Sequence, residues 1–532
     1  MQSLPIGEQE FTRLRERNHI YVDKTEQIFA LINVGTFVFL SRPRRFGKSL
    51  LTTTLKALFE GKRALFQGLW IEDKLDWQPR PVILINFNAL NYREKSLAQA
   101  LTEHMNELAA EVGITLKGDD YKTKFRELIT QRAEQGKVVL LIDEYDKAIT
   151  DLLENQEKVA EHVATLKNFY SVLKSIEAEH FHFTLLTGVS KYGKLSIFSD
   201  LNNLLDITLD PRFATLLGYT QAELEHYFGG YIDQLVVRYS SNRTEILEQI
   251  KFWYNGYSWD GVQRVYVPFS TLVFLSQQSF ANHWFATATP SFLIKLLRQQ
   301  EIPAYTLDEI SADSKLLDSA DVNQISVISL LFQTGYLTVK RVERTFQGDL
   351  YELGYPNYEV AQAFQQHLLT DYLTANIDLI SITLLGNLRK ALQAQNVDAF
   401  IKTFQSVFGS IPHTLFLPQE AYYHSVIYLV LRLLGFTVEA ERLNNLGRLD
   451  AVLELRDVVY ILEFKMSEAQ PKPRKRSKAK SGTPPLSPAQ VALEQIRTKQ
   501  YDLPFRNRGK TALLLGIAFD QTNRNISEWQ MA

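Results

Sequence analysis

Gly47-Lys48-Ser49 is the first group whose residue types and spacing can do chemistry. The tripeptide ends a loop, SRPRRFGKS, and opens a stretch of helical composition. Backbone N–H groups at such a helix start can cradle phosphates, and the helix dipole favours their charge. Lys48 is expected to reach the β- and γ-phosphates of a nucleoside triphosphate, and Ser49 to give its hydroxyl oxygen to Mg2+. Arg44, Arg45, Phe46, Gly47 and Leu50 complete the expected nucleotide-binding set. The full phosphate-loop pattern has a glycine five residues before Gly47, where this chain has Arg42. A second group lies in VVLLIDEYDK. A buried strand ending in adjacent carboxylates suits the acidic pair of an ATPase, with Asp143 holding the Mg2+ shell and Glu144 polarising water. A solvated acidic turn would show the same residues, so the weight lies on the two groups occurring together and in this order. Thr187 or Ser190, past a later apolar run, is a candidate to sense the γ-phosphate.

A third group sits near the C-terminus. Asp450 lies in one expected strand, and Glu463 and Lys465 lie in ILEFK at the end of the next. Strand alternation puts Glu463 and Lys465 on one face, with Phe464 turned the other way. Two carboxylates from neighbouring strands can hold Mg2+, and a lysine beside them can activate water or stabilise the charge that develops on a phosphodiester. Glu420 can add a carboxylate from a preceding helix. Gln495 and Tyr501 can position the phosphodiester, and Arg448 can contact a phosphate. Glu-x-Lys on its own is common and usually a surface ion pair. Here Glu463 follows the apolar run VVYIL, and a charge emerging from a core strand carries a desolvation cost that a functional site would explain. His424, alone on its helix, suits packing better than ligation.

The elements that must position these groups follow from hydrophobic pattern. Continuous apolar runs at 36–40, 81–87, 137–142, 181–186 and 205–209 read as strands buried on both faces, alternating with helical sequence such as 50–59 and 96–111. That alternation predicts an α/β parallel sheet at 1–210. Residues 211–385 read as mostly helical and aromatic-rich, suiting a lid over the nucleotide. Their aromatics can stack bases, although core packing is the commoner fate. At 386–532 a helix (418–434), three strands (436–442, 448–455, 458–465), a helix (488–501) and a further strand (510–519) predict an α/β domain of the restriction-endonuclease-like type.

Composition narrows the setting. The chain has 532 residues, no cysteine and a formal net charge of −2, so thiolate metal sites and disulfides are excluded and global charge does not point to nucleic acid. No apolar run has the length of a membrane span, and the N-terminus lacks the pattern of a signal peptide, so no membrane partner and a cytoplasmic location are expected. Residues 471–488, PKPRKRSKAKSGTPPLSP, are expected to form a disordered basic insertion, solvated or touching DNA phosphates.

The runs LPIGEQEF, YVDKT, FLSRPRRFGKSLL, LIDEYDK and LLTGVSKYGKLSIFSDLNNL resemble the prokaryotic AAA-ATPase-like family, whose members commonly carry a C-terminal PD-(D/E)xK nuclease superfamily domain. The similarity continues through WYNGY, VYVPFS and HWFATATPSFL, and covers nearly the whole chain outside the basic insertion. In that family the phosphate loop regularly reads RPRRFGKS, so Arg42 is a family trait. The resemblance implies a P-loop ATPase using ATP and Mg2+, whose nucleotide state controls a Mg2+-dependent nuclease centred on Asp450, Glu463 and Lys465. DNA is the expected nucleic acid, and analogy places the activity in defence or mobile-element biology. A homo-oligomer is compatible, since related ATPases often complete their sites between subunits. The alternative is an ATP-gated binding or regulatory module whose nuclease-like domain is catalytically inactive.

Overall fold

A computed structural model describes the chain except residues 177, 192–196, 199–200, 202, 285–290, 318–325, 374–381, 410, 412–419, 445–446, 468–485 and 507. Most of the basic insertion at 471–488 therefore lies outside the described residues. The chain forms two compact units, Met1–Leu293 with Glu309–Ala361, and Ile294–Asp308 with Gln362–Ala532.

In the first unit, β1 (Phe37–Ser41), β2 (Val82–Asn86), β3 (Val138–Asp143), β4 (Phe181–Gly188) and β5 (Leu205–Asp206) form a parallel sheet in the order β2-β3-β4-β1-β5. Every residue of β1 and β3 is buried, as their unbroken apolar runs predict. Parallel pairing brings all the strand C-termini to one edge, where ligands of such sheets bind. The register sets Ser41 opposite Gly188 and Ile142 opposite Leu186. The loop after β1, the acidic end of β3 and Thr187 thus converge. The helix Lys48–Phe59 follows the loop and buries Leu51, Leu55 and Leu58 along one face.

Helices Gln221–Tyr239, Arg243–Tyr254 and Pro268–Gln277 fill the region beyond the sheet. Thr220 and Glu223 form a capping box at the first, and Pro268 opens the third. Their apolar faces share a core with Ile20 and Val22 of the N-terminal segment. Tyr254 and Phe274 pack within it, so aromatic residues of this region serve packing. The region also carries strands: β6 (Asn255–Tyr257) pairs with β7 (Val265–Tyr266), and β8 (Ile310–Asp313), β9 (Thr338–Thr345) and β10 (Gly348–Gly354) form a sheet in the order β8-β10-β9. The sequence TVKRVERT alternates, and Gly348 at φ 128° permits the turn between β9 and β10.

The second unit is built on β11 (Thr437–Asn444), β12 (Gly447–Glu454), β13 (Val458–Ser467), β14 (Thr511–Asp520) and β15 (Asn525–Met531), paired in that order. Only β13 and β14 run parallel, joined through the helix Pro488–Thr498. That helix covers one face, with Leu493 and Ile496 against Leu449, Val452, Val459, Ile461 and Leu514. It lies so close to β14 that a Cβ on Gly516 would fall 2.2 Å from the Ala489 carbonyl oxygen, so only glycine fits. On the other face Phe408 and Tyr423, from the helices Val397–Gly409 and Glu420–Leu433, pack on Phe519. Strand β15 was not among the expected elements: NISEWQM is half polar and carries little periodic signal.

Candidate active sites

The phosphate loop is held from beneath. Arg42, in the place of the missing glycine, is 1% exposed and donates to the carbonyls of Ser41 (2.9 Å), Thr208 (2.8 Å) and Phe213 (3.1 Å). Its guanidinium lies 3.9 Å from the centroid of the Trp259 ring. Burial lowers its pKa to about 9, with Asp206 acting in the opposite sense. Phe46, expected among the nucleotide-binding residues, instead buries its ring against Tyr257 and Trp259, where an apolar side chain is better placed. Arg42 and Phe46 therefore act as anchors of the loop. Completing the glycine pattern with Arg42→Gly should lower stability by about 3 kcal/mol, because three buried carbonyls lose their donor. Denaturant midpoints measure this; a midpoint unchanged from wild type would contradict the anchoring role.

Above these anchors lies a cavity of about 310 Å3, lined among others by Arg44, Arg45, Gly47, Lys48, Ser49, Leu50 and Glu144. The N-terminal segment (Pro5, Gly7, Glu8, Gln9) and the first turn of the helix Pro268–Gln277 (Pro268, Phe269, Leu272) close its sides. Gly47 has φ 94°, the left-handed conformation from which the helix starts at Lys48. Lys48 is 4% exposed, and its ammonium donates to the carbonyls of Arg42 (2.9 Å) and Pro43 (3.0 Å). Burial lowers its pKa, opposed by Glu144, Asp143 and Asp146. Arg45 stands at φ 70°, lies 3.9 Å from the Phe269 ring centroid and donates to the His283 carbonyl at 3.0 Å. Arg44 is half exposed, with Asp151 at 3.9 Å.

At the sheet edge Asp143 is 1% exposed. Its Oδ1 accepts from the Thr187 hydroxyl at 2.7 Å, while the buried Oδ2 has no hydrogen-bond partner among the described residues. A carboxylate oxygen left in that state fits a divalent cation or its water shell. Thr187 is fully buried, so its hydroxyl orients Asp143. Glu144 has φ 56°, an unfavourable backbone for a non-glycine residue, and lines the cavity. Ser190 donates its hydroxyl to Asp146 at 2.8 Å. Asp146, outside the expected site, also accepts from the backbone of Val189 and Ser190 and so fixes the turn after β4. The signal was its place in DEYDK, masked by the stronger pair before it.

A further carboxylate behind this cavity gave no sequence signal, since an acid near a helix start is commonplace. Glu359, 0% exposed in the first turn of the helix Tyr358–Leu373, accepts from the backbone of His283 (2.6 Å) and Trp284 (2.7 Å) and from the Ser270 hydroxyl (3.2 Å). Burial pushes its pKa from 4.5 up to about 7 despite these donors. A folded-state value above the unfolded one stabilises fully below about pH 4.5 and is lost as pH rises through about 7. Wild type should therefore lose stability relative to Glu359→Gln between about pH 5 and about pH 8. Parallel melting-midpoint curves for the two proteins would refute this.

In the second unit, pairing of Ala451 with Leu462 sets Asp450 and Glu463 side by side on β12 and β13. Asp450 accepts from the Phe464 amide at 2.7 Å. Glu463 is 1% exposed; its Oε1 accepts from Lys465 at 3.2 Å and from the Gln495 side chain, while the buried Oε2 has no partner among the described residues. Burial and then Asp450 push the Glu463 pKa up to about 7, with Lys465 opposing. Burial and Asp450 also raise that of Glu420, opposed by Lys465 and by a bond from the Met466 backbone. The Tyr501 pKa is raised by burial and then by Glu463. Strand alternation, the preceding helix, the crossover helix and the turn after it thus gather Glu420, Asp450, Glu463, Lys465, Gln495 and Tyr501. Among the described residues, however, no three His, Cys, Asp or Glu side chains meet at metal-binding spacing. Strands β12 and β13 set two carboxylates side by side here, Asp450 and Glu463, and the Oε2 of Glu463, without a partner among the described residues, fits a cation. His424 stacks on Tyr305 and packs on Phe464, as expected of a packing residue. The side chain of Arg448 lies outside the described residues.

Two family models match the chain. Residues 5–198 match the model described as Predicted AAA-ATPase, and residues 418–529 match that of the PD-(D/E)XK nuclease superfamily. A protein of Azotobacter chroococcum mcd 1, described as an uncharacterized protein in the vnfD 5′ region, is 38% identical over 539 residues, covering 99% of this chain and 98% of its own length.

Proposed function

Since the chain belongs to the family of predicted AAA-ATPases joined to a C-terminal PD-(D/E)XK nuclease superfamily domain, and so carries an ATPase-type and a nuclease-type module, we propose that ATP bound by the first controls phosphodiester cleavage by the second. DNA is the substrate of this reading, and defence or mobile-element biology its setting by analogy. The observation that carries it is Glu463: a buried carboxylate with one oxygen held by Lys465 and Gln495 and the other without a partner among the described residues. Such a group is expensive in a structural role and useful in a catalytic one.

At the nucleotide site Lys48 exchanges the loop carbonyls for phosphate oxygens, Asp143 and Ser49 hold Mg2+, and Glu144 orients the attacking water. The first turn of the helix Pro268–Gln277 excludes solvent from one side, in the manner of a lid. At the nuclease site Asp450 and Glu463 hold Mg2+, Lys465 takes up charge on the phosphate, and Gln495 and Tyr501 orient the groups around Glu463. The chemistry that Mg2+ supplies there is neutralisation of the phosphodiester and activation of water.

A second reading, in which the C-terminal module binds nucleic acid without cutting it, draws on the absence of a converged three-carboxylate set among the described residues. Both readings are tested by incubating the full chain with plasmid, single-stranded DNA and RNA, with and without Mg2+ and ATP. Cleavage that requires Mg2+ and changes with ATP supports the proposal. Cleavage indifferent to ATP overturns the control, and saturable binding without cleavage favours the second reading.

A further inference from the structure

The residue that faces the nucleotide cavity from the loop and the buried acid behind that cavity are joined through one intermediate. His283 accepts from Arg45 through its carbonyl, at 3.0 Å, and donates its amide to Glu359, at 2.6 Å. Glu359 also accepts from Ser270, on the helix whose neighbouring residues Pro268, Phe269 and Leu272 wall the cavity. The Phe269 ring lies 3.9 Å from the Arg45 guanidinium. One carboxylate therefore bonds to His283 and to the neighbour of Phe269, the two residues against which Arg45 rests.

Among the contacts of Arg45 are the His283 carbonyl and the Phe269 ring. A neutral carbonyl and an aromatic face are weaker partners for a guanidinium than a phosphate oxygen, where both partners are charged and the bond can be bidentate. The left-handed backbone at Arg45 also leaves a more relaxed conformation open to it. Glu359 occupies the opening turn of the helix Tyr358–Leu373, and this helix starts in the first compact unit and ends in the second, the division falling between Ala361 and Gln362. His283 and Trp284 thus meet the opening turn of this helix through one carboxylate.

We propose that Glu359 is a positioning residue that couples nucleotide occupancy to the helix Tyr358–Leu373: when Arg45 turns from the His283 carbonyl to a phosphate, the segment at His283 and Trp284 shifts on Glu359 and the first turn of the helix changes its stability. This rests on the reading of the cavity as a nucleotide site. It goes beyond that reading in naming the connection, a three-residue relay of Arg45, His283 and Glu359.

The test is hydrogen–deuterium exchange on the full chain with and without a non-hydrolysable ATP analogue, with affinity measured separately by titration of a fluorescent ATP derivative. In wild type the analogue should change exchange at least about twofold in peptides spanning 358–366 as well as in the loop at 42–49. Glu359→Gln should bind the derivative within about threefold of wild type, keep the response at 42–49 and lose most of that at 358–366. Ser270→Ala, which removes one donor and leaves the carboxylate, should show a reduced response there and covers the case in which Glu359→Gln does not fold. Saturable binding with unchanged exchange at 358–366 in wild type overturns this inference alone. A Glu359→Gln protein that responds as wild type does likewise. Failure of the fluorescent derivative to bind overturns the nucleotide reading and the inference together.

Discussion

Lys465→Ala should reduce Mg2+-dependent cleavage by about a thousandfold while ATP affinity stays within about twofold of wild type, an effect on the scale of removing a group that stabilises charge only in the transition state. Lys465 is the cation in contact with Glu463, and it also lowers the pKa of both Glu463 and Glu420. Its removal acts twice: the phosphate loses a partner, and Glu463, already raised to about 7 by burial, becomes harder to ionise. Asp450→Asn should match this loss without the second effect, since it removes a charge that itself raises Glu463. Single-turnover cleavage of a plasmid reads both variants. A Lys465→Ala protein that cuts within tenfold of wild type would remove Lys465 from the site.

Lys48→Ala should abolish measurable ATP hydrolysis and weaken triphosphate binding by about a hundredfold or more, the loss expected when a buried ammonium that meets two phosphates is deleted. Lys48 is buried, donates to the loop carbonyls of Arg42 and Pro43, and feels the carboxylates of Glu144, Asp143 and Asp146. Basal cleavage by the nuclease module should persist in this variant, and its dependence on ATP should vanish. Phosphate release and titration of a fluorescent ATP derivative measure the first pair of effects, and plasmid cleavage the second. Hydrolysis at a rate near wild type would exclude Lys48 from phosphate contact.

The sheets were legible because their strands are unbroken apolar runs ending in polar chemistry: VVLLID and VVYILEF each show a core strand and the acid it delivers. The convergence of Lys48, Asp143 and Thr187 also follows once the strands are parallel, since their ends must share an edge. What the sequence hides are contacts made at long separation. Arg42 reads as a defect in a glycine pattern, and nothing local connects it with Thr208, Phe213 and Trp259. Phe46 reads as part of a binding loop because its aromatic partners, Tyr257 and Trp259, are some two hundred residues away. Glu359 looks like an ordinary acid at a helix start, and only burial among the amides of His283 and Trp284 sets it apart. Strand β15 was missed because an edge strand that is half polar has little pattern to show.

The anchoring of Arg42 bears on how far the N-terminal module can be separated from the rest of the protein. A loop shaped by glycines can close on local freedom alone, but this one closes on Thr208, Phe213 and Trp259. A fragment ending at residue 198, where the family match stops, keeps Lys48, Asp143 and Glu144 and loses all three supports. Autonomy in folding and completeness of the catalytic motifs therefore end at different places along this chain, and the shortest fragment able to bind a nucleotide should extend past Trp259.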